Sequence, residues 1–207
     1  MAVKVLKKTK NTEVIEMKKL FLAVLCVMLT GAMAYATSIT ADVNVKVSIS
    51  GANLSVAVLT SGTTTTTWDA SIATVGTWSV MSTSVPVIND SGGLTETFSL
   101  SATNAVSPTT ADVWTLNAST GTNLYAMRAR FNGATAPANT DVVFTQATHA
   151  LTSGPVKSSI TQFAGTERGD GVNSGEQRGL YVRVGRPSSV LDTSEHVATL
   201  LITAVNP

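Results

Sequence analysis

Few side chains in this 207-residue sequence are suited to catalysis or metal binding: it has two histidines, His149 and His196, and one cysteine, Cys26. A Ser/His/Asp hydrolase needs a nucleophile exposed on a sharp turn with an oriented base beside it. No G-x-S-x-G elbow occurs, and His196, which follows Glu195 at the head of an alternating run, reads as a surface imidazole. Residues 166–179, TERGDGVNSGEQRG, gather Glu167, Asp170, Asn173 and Glu176 among four glycines. Oxygen ligands on such a loop suit calcium, but the D-x-[DN]-x-[DN]-G spacing is absent, and Arg168 and Arg178 favour local ion pairing. No cofactor is therefore expected, calcium being the ion this loop would suit. The remaining acidic residues are scattered and form no recognisable glycosidase pair, so the expectation is a non-enzyme. Trp68, Trp78 and Trp114 are candidates for a glycan platform, since indole faces stack on sugar rings; core and edge packing is their other use.

The overall composition narrows the classes further. Lys and Arg number 14 against 13 Asp and Glu, so the basic excess that phosphate neutralisation requires is missing and no nucleic-acid partner is expected. A hydrophobic fraction of 43% is too high for a disordered chain. Residues 17–36, MKKLFLAVLCVMLTGAMAYA, have the three parts of a secretory signal. Lys18 and Lys19 lead a ten-residue apolar run from Leu20 to Leu29, and two A-x-A sites ending at Ala34 and Ala36 follow. The run is short for a membrane span of about 20 residues. Cleavage after Ala36, with Ala34 as the alternative, is expected to leave a secreted, extracellular or cell-surface protein with no membrane association. Residues 1–16 precede a complete signal, which makes Met17 the expected start of translation. Cys26 leaves with the leader.

The 171 residues from 37 to 207 carry 8 basic and 11 acidic side chains, a net charge of −3, and no cysteine. Stability must then come from a hydrophobic core rather than from disulfides. Ser and Thr account for 50 of the 171 and are spread throughout, a composition that suits pleated, uncharged surfaces. From 39 to 50 every odd position is apolar, namely Ile39, Ala41, Val43, Val45, Val47 and Ile49, and every even one is polar, the period of a half-buried strand. After Gly51-Ala52-Asn53, Leu54, Val56 and Val58 resume the alternation, which predicts a hairpin between the two runs. Residues 61–67, ending in five threonines, read as an exposed loop, a linker or an edge strand.

Further strands are predicted at 77–81, 95–102, 111–116, 124–131, 141–145, 179–185 and 195–205, separated by turn clusters such as Asn89-Asp90-Ser91-Gly92-Gly93 and Asn132-Gly133. No helical periodicity of ten or more residues occurs after the leader. Short, regularly spaced strands predict an all-β fold: a single antiparallel β-sandwich over residues 37–207, immunoglobulin-like or jelly-roll-like, after a cleaved N-terminal signal helix.

The stretch Val87-Ile88-Asn89-Asp90-Ser91-Gly92-Gly93-Leu94-Thr95-Glu96-Thr97-Phe98-Ser99-Leu100 resembles the turn-then-strand segment of secreted bacterial immunoglobulin-like domains, including camelysin-type extracellular fibre subunits. The run Gly179-Leu180-Tyr181-Val182-Arg183-Val184 and the later Leu201-Ile202-Thr203-Ala204 are similar to the closing hairpin of such domains. The resemblance implies an antiparallel sandwich and membership in an extracellular assembly, and it carries no site residues across.

Residues 39–50 are the candidate assembly strand. With one Lys, one Asp and no Pro or Gly, the segment has few of the features that protect an exposed edge from pairing, and an unpaired edge on a second copy would accept it. The expectation is a structural subunit of a fibre, sheath or surface layer that forms a homo-oligomer or polymer. The alternative is a carbohydrate-binding or adhesive module contacting surface glycans.

Overall fold

The computed structural model describes residues 43–49, 56–58, 66–70, 74–205 and 207. The leader with Cys26, together with Ile39 and Ala41, lies outside these residues. The chain is all-β, with twelve strands joined in a single sheet and one helix of a single turn among the described residues.

The strands are β1 (Val43–Ile49), β2 (Val56–Val58), β3 (Thr66–Asp69), β4 (Trp78–Val80), β5 (Val85–Asn89), β6 (Thr97–Ala102), β7 (Ala105–Val106), β8 (Val113–Leu116), β9 (Leu124–Phe131), β10 (Val156–Lys157), β11 (Gln177–Gly185) and β12 (His196–Val205). The helix α1 (Gln146–His149) lies between β9 and β10.

Two long strands organise the sheet. The β12 strand alternates buried and half-buried residues along its whole length, the period-two pattern read from its sequence. On one side it pairs antiparallel with β6 and then, at Val197↔Val106, with β7. Between β6 and β7 the register slips by one residue, as at a bulge. There the Thr103 amide donates to the Thr199 carbonyl and the Thr103 hydroxyl accepts from the Thr199 amide. On its other side β12 pairs in parallel with β1, from Val43↔His196 to Ile49↔Ile202. The β11 strand pairs with β9 on one side and with β5 and β4 on the other. A short parallel contact, Thr115↔Leu124 and Leu116↔Tyr125, joins β8 to β9 and so connects the two groups of strands.

The expected hairpin between the first two runs does not form. The β1 strand pairs with β12 and β3, while β2 pairs with β5. Register with a distant strand prevails here over proximity in sequence. The Thr66–Asp69 end of the threonine-rich stretch is a strand, paired antiparallel with β1.

The predicted strand at 141–145 is also corrected. These residues form a turn that ends in the cap of α1, where the Thr145 side chain accepts from the Thr148 amide. Capping by the threonine hydroxyl overrides the β preference of Val142 and Val143, and Val142 is left 87% exposed. The β5 strand, not anticipated because it contains Pro86, alternates buried Val85, Val87 and Asn89 with half-buried neighbours.

Residues between β9 and β11 are mostly irregular, yet they supply Phe144, Leu151, Phe163 and Val172 to the core. This coverage explains why every residue of β6 is buried, including Thr97, Ser99 and Ser101.

Candidate functional site

The chemically richest cluster forms where the β7–β8 and β11–β12 connections meet the first residue of β12. His196 is in phase with buried Ala198, Leu200 and Ile202, so it points inward and is fully buried, correcting the surface reading. Its ring stacks on Trp114 at a centroid distance of 3.8 Å and an interplanar angle of 12°. His196 Nδ1 lies 2.8 Å from the Ser194 carbonyl oxygen, and Nε2 lies 3.3 Å from Asp112 Oδ2.

Asp192 anchors the other half of the cluster. Its carboxylate accepts from the Ser194 hydroxyl at 2.6 Å, from the Thr110 hydroxyl and from the Ser194 amide at 2.9 Å. Hydrogen bonds from the Ser194 and Thr110 hydroxyls pull its pKa down to about 2, with the Ser194 amide adding to the effect. Because the Ser194 hydroxyl donates to Asp192, the Ser107 hydroxyl is the donor in the 2.7 Å contact between the two serines. Ser107 in turn accepts from the Thr109 and Thr110 amides. Ligand atoms from Asp112, Asp192 and His196 lie within 4.8 Å of one another, the convergence of three such groups found among the described residues. A Ser/His/Asp triad is not assembled here, since the Ser194 hydroxyl engages a carboxylate and only the Ser194 carbonyl meets the imidazole.

A second cluster centres on Trp78. Arg128 on β9 and Arg183 on β11 are direct cross-strand partners, and their guanidinium carbons lie 4.5 and 4.2 Å from Trp78 ring centroids. Both arginines are buried and both donate to Asp141 Oδ1, at 2.7 and 2.6 Å. Arg183 also donates to Asn139 Oδ1. The hydrogen bond from Arg183 is the main reason the Asp141 carboxyl stays below its ordinary value, with Arg128 contributing. A glycine is required at 185, because a Cβ there would come within 2.7 Å of the Trp78 ring.

His149, at the end of α1, is buried and neutral. The Thr145 amide donates to its Nδ1, so Nε2 carries the proton and donates to the Ala164 carbonyl, each at 3.0 Å. Burial holds this imidazole below its ordinary pKa, and the charges of Arg130 and Arg128 act in the same direction against the pull of the Ala164 carbonyl.

The three tryptophans do not share a surface. Trp114 is fully buried beneath His196, Trp78 is half-buried against two arginines, and Trp68 on β3 packs against the core. Trp114 has no free face for a sugar.

In the 166–179 loop the carboxylates are engaged separately. Glu167 accepts from the Gly179 amide, Glu176 accepts from Arg178 and from the Asn173 amide, and Asp170 lies 3.7 Å from Arg168. Thr166, Glu167, Arg168, Asp170, Gly171 and Arg178 line a cavity of about 270 Å³ with mixed charge. The local ion pairing read from the sequence is present, at 2.8 Å between Arg178 and Glu176.

Of the candidate assembly strand, Val43, Val45, Val47 and Ile49 lie on β1, in register with the buried residues His196, Ala198, Leu200 and Ile202 of β12. Sequence reasoning missed the Asp112–Asp192–His196 convergence. One signal was legible, because His196 shares the parity of the apolar residues that follow it. No protein-family model and no curated protein sequence matches this chain.

Proposed function

We propose that the protein is an exported, non-enzymatic structural subunit of an extracellular fibre, sheath or surface layer, joined to its neighbours by exchange of β1. The observation that carries this reading is the position of β1. It is the first described strand, it lies parallel to the last strand, and its seven residues pair without a break along β12 from His196 to Ile202. Withdrawal of β1 also frees β3, whose described pairing is with β1, and leaves the pairing of the other strands intact. It would leave β12 with an open edge whose buried positions alternate in step with the apolar residues of β1. The same segment from a second copy fits that edge in the same register, because a one-residue slip would turn its apolar set to the opposite face.

The remainder of the reading is consistent with this arrangement. A signal at 17–36, cleaved after export, would place the new N-terminus a few residues before β1. The β6–β12 and β9–β11 groups would form the two layers of an immunoglobulin-like or jelly-roll-like sandwich, as in the secreted fibre subunits the sequence resembles. The purified exported protein is expected to form multimers visible by light scattering and electron microscopy. Deletion of residues 37–50 is expected to abolish them, and a peptide of residues 39–50 to bind the truncated protein. Monomers at high concentration, with and without the segment, would refute the proposal.

A further inference from the structure

We infer that Asp112, Asp192 and His196 form a binding site for a divalent metal ion of the zinc type, which fastens the β7–β8 and β11–β12 connections to the start of β12. Asp112 comes from the β7–β8 connection, while Asp192 and His196 belong to the one stretch that leads into β12, and the ligand atoms of all three converge within 4.8 Å.

The hydrogen bonding of His196 assigns its tautomer. The Ser194 carbonyl can only accept, so Nδ1 carries a hydrogen, and in the neutral ring the lone pair falls on Nε2 and faces the two carboxylates. An imidazole whose second nitrogen donates to a backbone carbonyl is the usual outer support of a metal-bound histidine. Ser194 and Thr110 provide the same support to Asp192 through their hydroxyls.

The Nε2 to Oδ2 distance of 3.3 Å matches the spacing of two ligands on one metal ion. Nitrogen and oxygen ligands bound to one tetrahedral zinc at about 2.0–2.2 Å lie roughly 3.4 Å apart. The 4.8 Å span is wider than this spacing, so on binding the turn that carries Asp192 closes inward by about 1 Å with its Ser194 and Thr110 hydrogen bonds kept. One imidazole nitrogen with two carboxylates is a borderline donor set, better suited to zinc than to the all-oxygen preference of calcium. The burial of His196 and its stacking on Trp114 make the role structural.

The test uses the full chain carrying Cys26→Ser, stripped of metal, without a histidine tag, and titrated with Zn²⁺ alone. The expected result is one saturable equivalent, a rise in Tm, and a loss of affinity of tenfold or more in Asp112→Asn and in Asp192→Asn. A second readout does not depend on the variants folding. With ¹⁵N-labelled histidine, Zn²⁺ should shift the Nε2 signal of one of the two rings while its Nδ1 keeps its proton. Absence of saturable binding, binding unchanged in both Asn variants, or no shift at either ring would overturn the assignment.

Discussion

Replacing Asp141 with Asn tests how the protein tolerates two buried arginines opposite one another on adjacent strands. Arg128 and Arg183 have side chains 6% and 4% exposed, and one carboxylate oxygen accepts from both. The substitution keeps the shape and removes the charge. Each charge-assisted bond would be worth about 1.5–3 kcal/mol if fully buried. The Asp141 side chain is 73% exposed, however, so solvent screening moves each pair toward the 0.2–1 kcal/mol of an exposed one. The arginines cannot follow it into water, and like charges directly across a sheet repel. We expect a loss of about 2 kcal/mol, or a fall in Tm of roughly 4–8 °C for a domain of this size.

Urea unfolding followed by tryptophan fluorescence should show a lower midpoint with an unchanged slope. In the double variant with Arg183→Met the two losses should not add, because the repulsion is already relieved. The pH dependence carries the same signature. The folded-state pKa of Asp141 lies below its ordinary 3.8, so its contribution is present above that value and is lost as pH falls through the folded one. The gap between parent and variant should therefore hold from neutral pH to about pH 5 and close below pH 4. A loss under about 0.5 kcal/mol, or full additivity with Arg183→Met, would refute the reasoning.

Two further outcomes follow from the same structure. His149 is neutral in the fold with a lowered pKa, so the unfolded chain binds the extra proton first, and stability should fall as pH drops below about 6.5. His149→Gln should flatten this limb, which paired urea midpoints at pH 7.5 and 5.5 will show. Gly185→Ala places a methyl group against the Trp78 ring and Thr120, and should cost about 1–3 kcal/mol by overpacking. The displaced indole should alter the near-ultraviolet circular dichroism, and a variant of parental stability and spectrum would refute that contact.

The parts of the fold that were legible share one property: their pattern is local. The β9 strand occupies 124–131 as its sequence predicts, and β12 falls within one residue of its predicted start because its parity is unbroken. The failures occur where a local signal competes with another signal or with a distant partner. Thr145 caps a helix inside an apparent strand, Pro86 conceals β5, and the pairing that would make a hairpin of the first two runs goes to β12 and β5 instead. The 166–179 loop was read correctly as ion-paired, since its charges lie within a few residues of one another.

The sequence alone determined that this is a β protein, because alternation with period two and a wealth of threonine and serine are properties of each segment by itself. It also determined how little reactive chemistry is present, with two histidines and a single cysteine. Only the tertiary structure decided that Asp112 and Asp192 would meet His196, and that Asp141 would join Arg128 to Arg183 beneath Trp78. Asp112 is distant in sequence from Asp192 and His196, as Arg183 is from Arg128 and Asp141, and no local preference encodes these meetings. They follow from the register of β8, β9, β11 and β12, and that register is set by the burial of whole strand faces against one another.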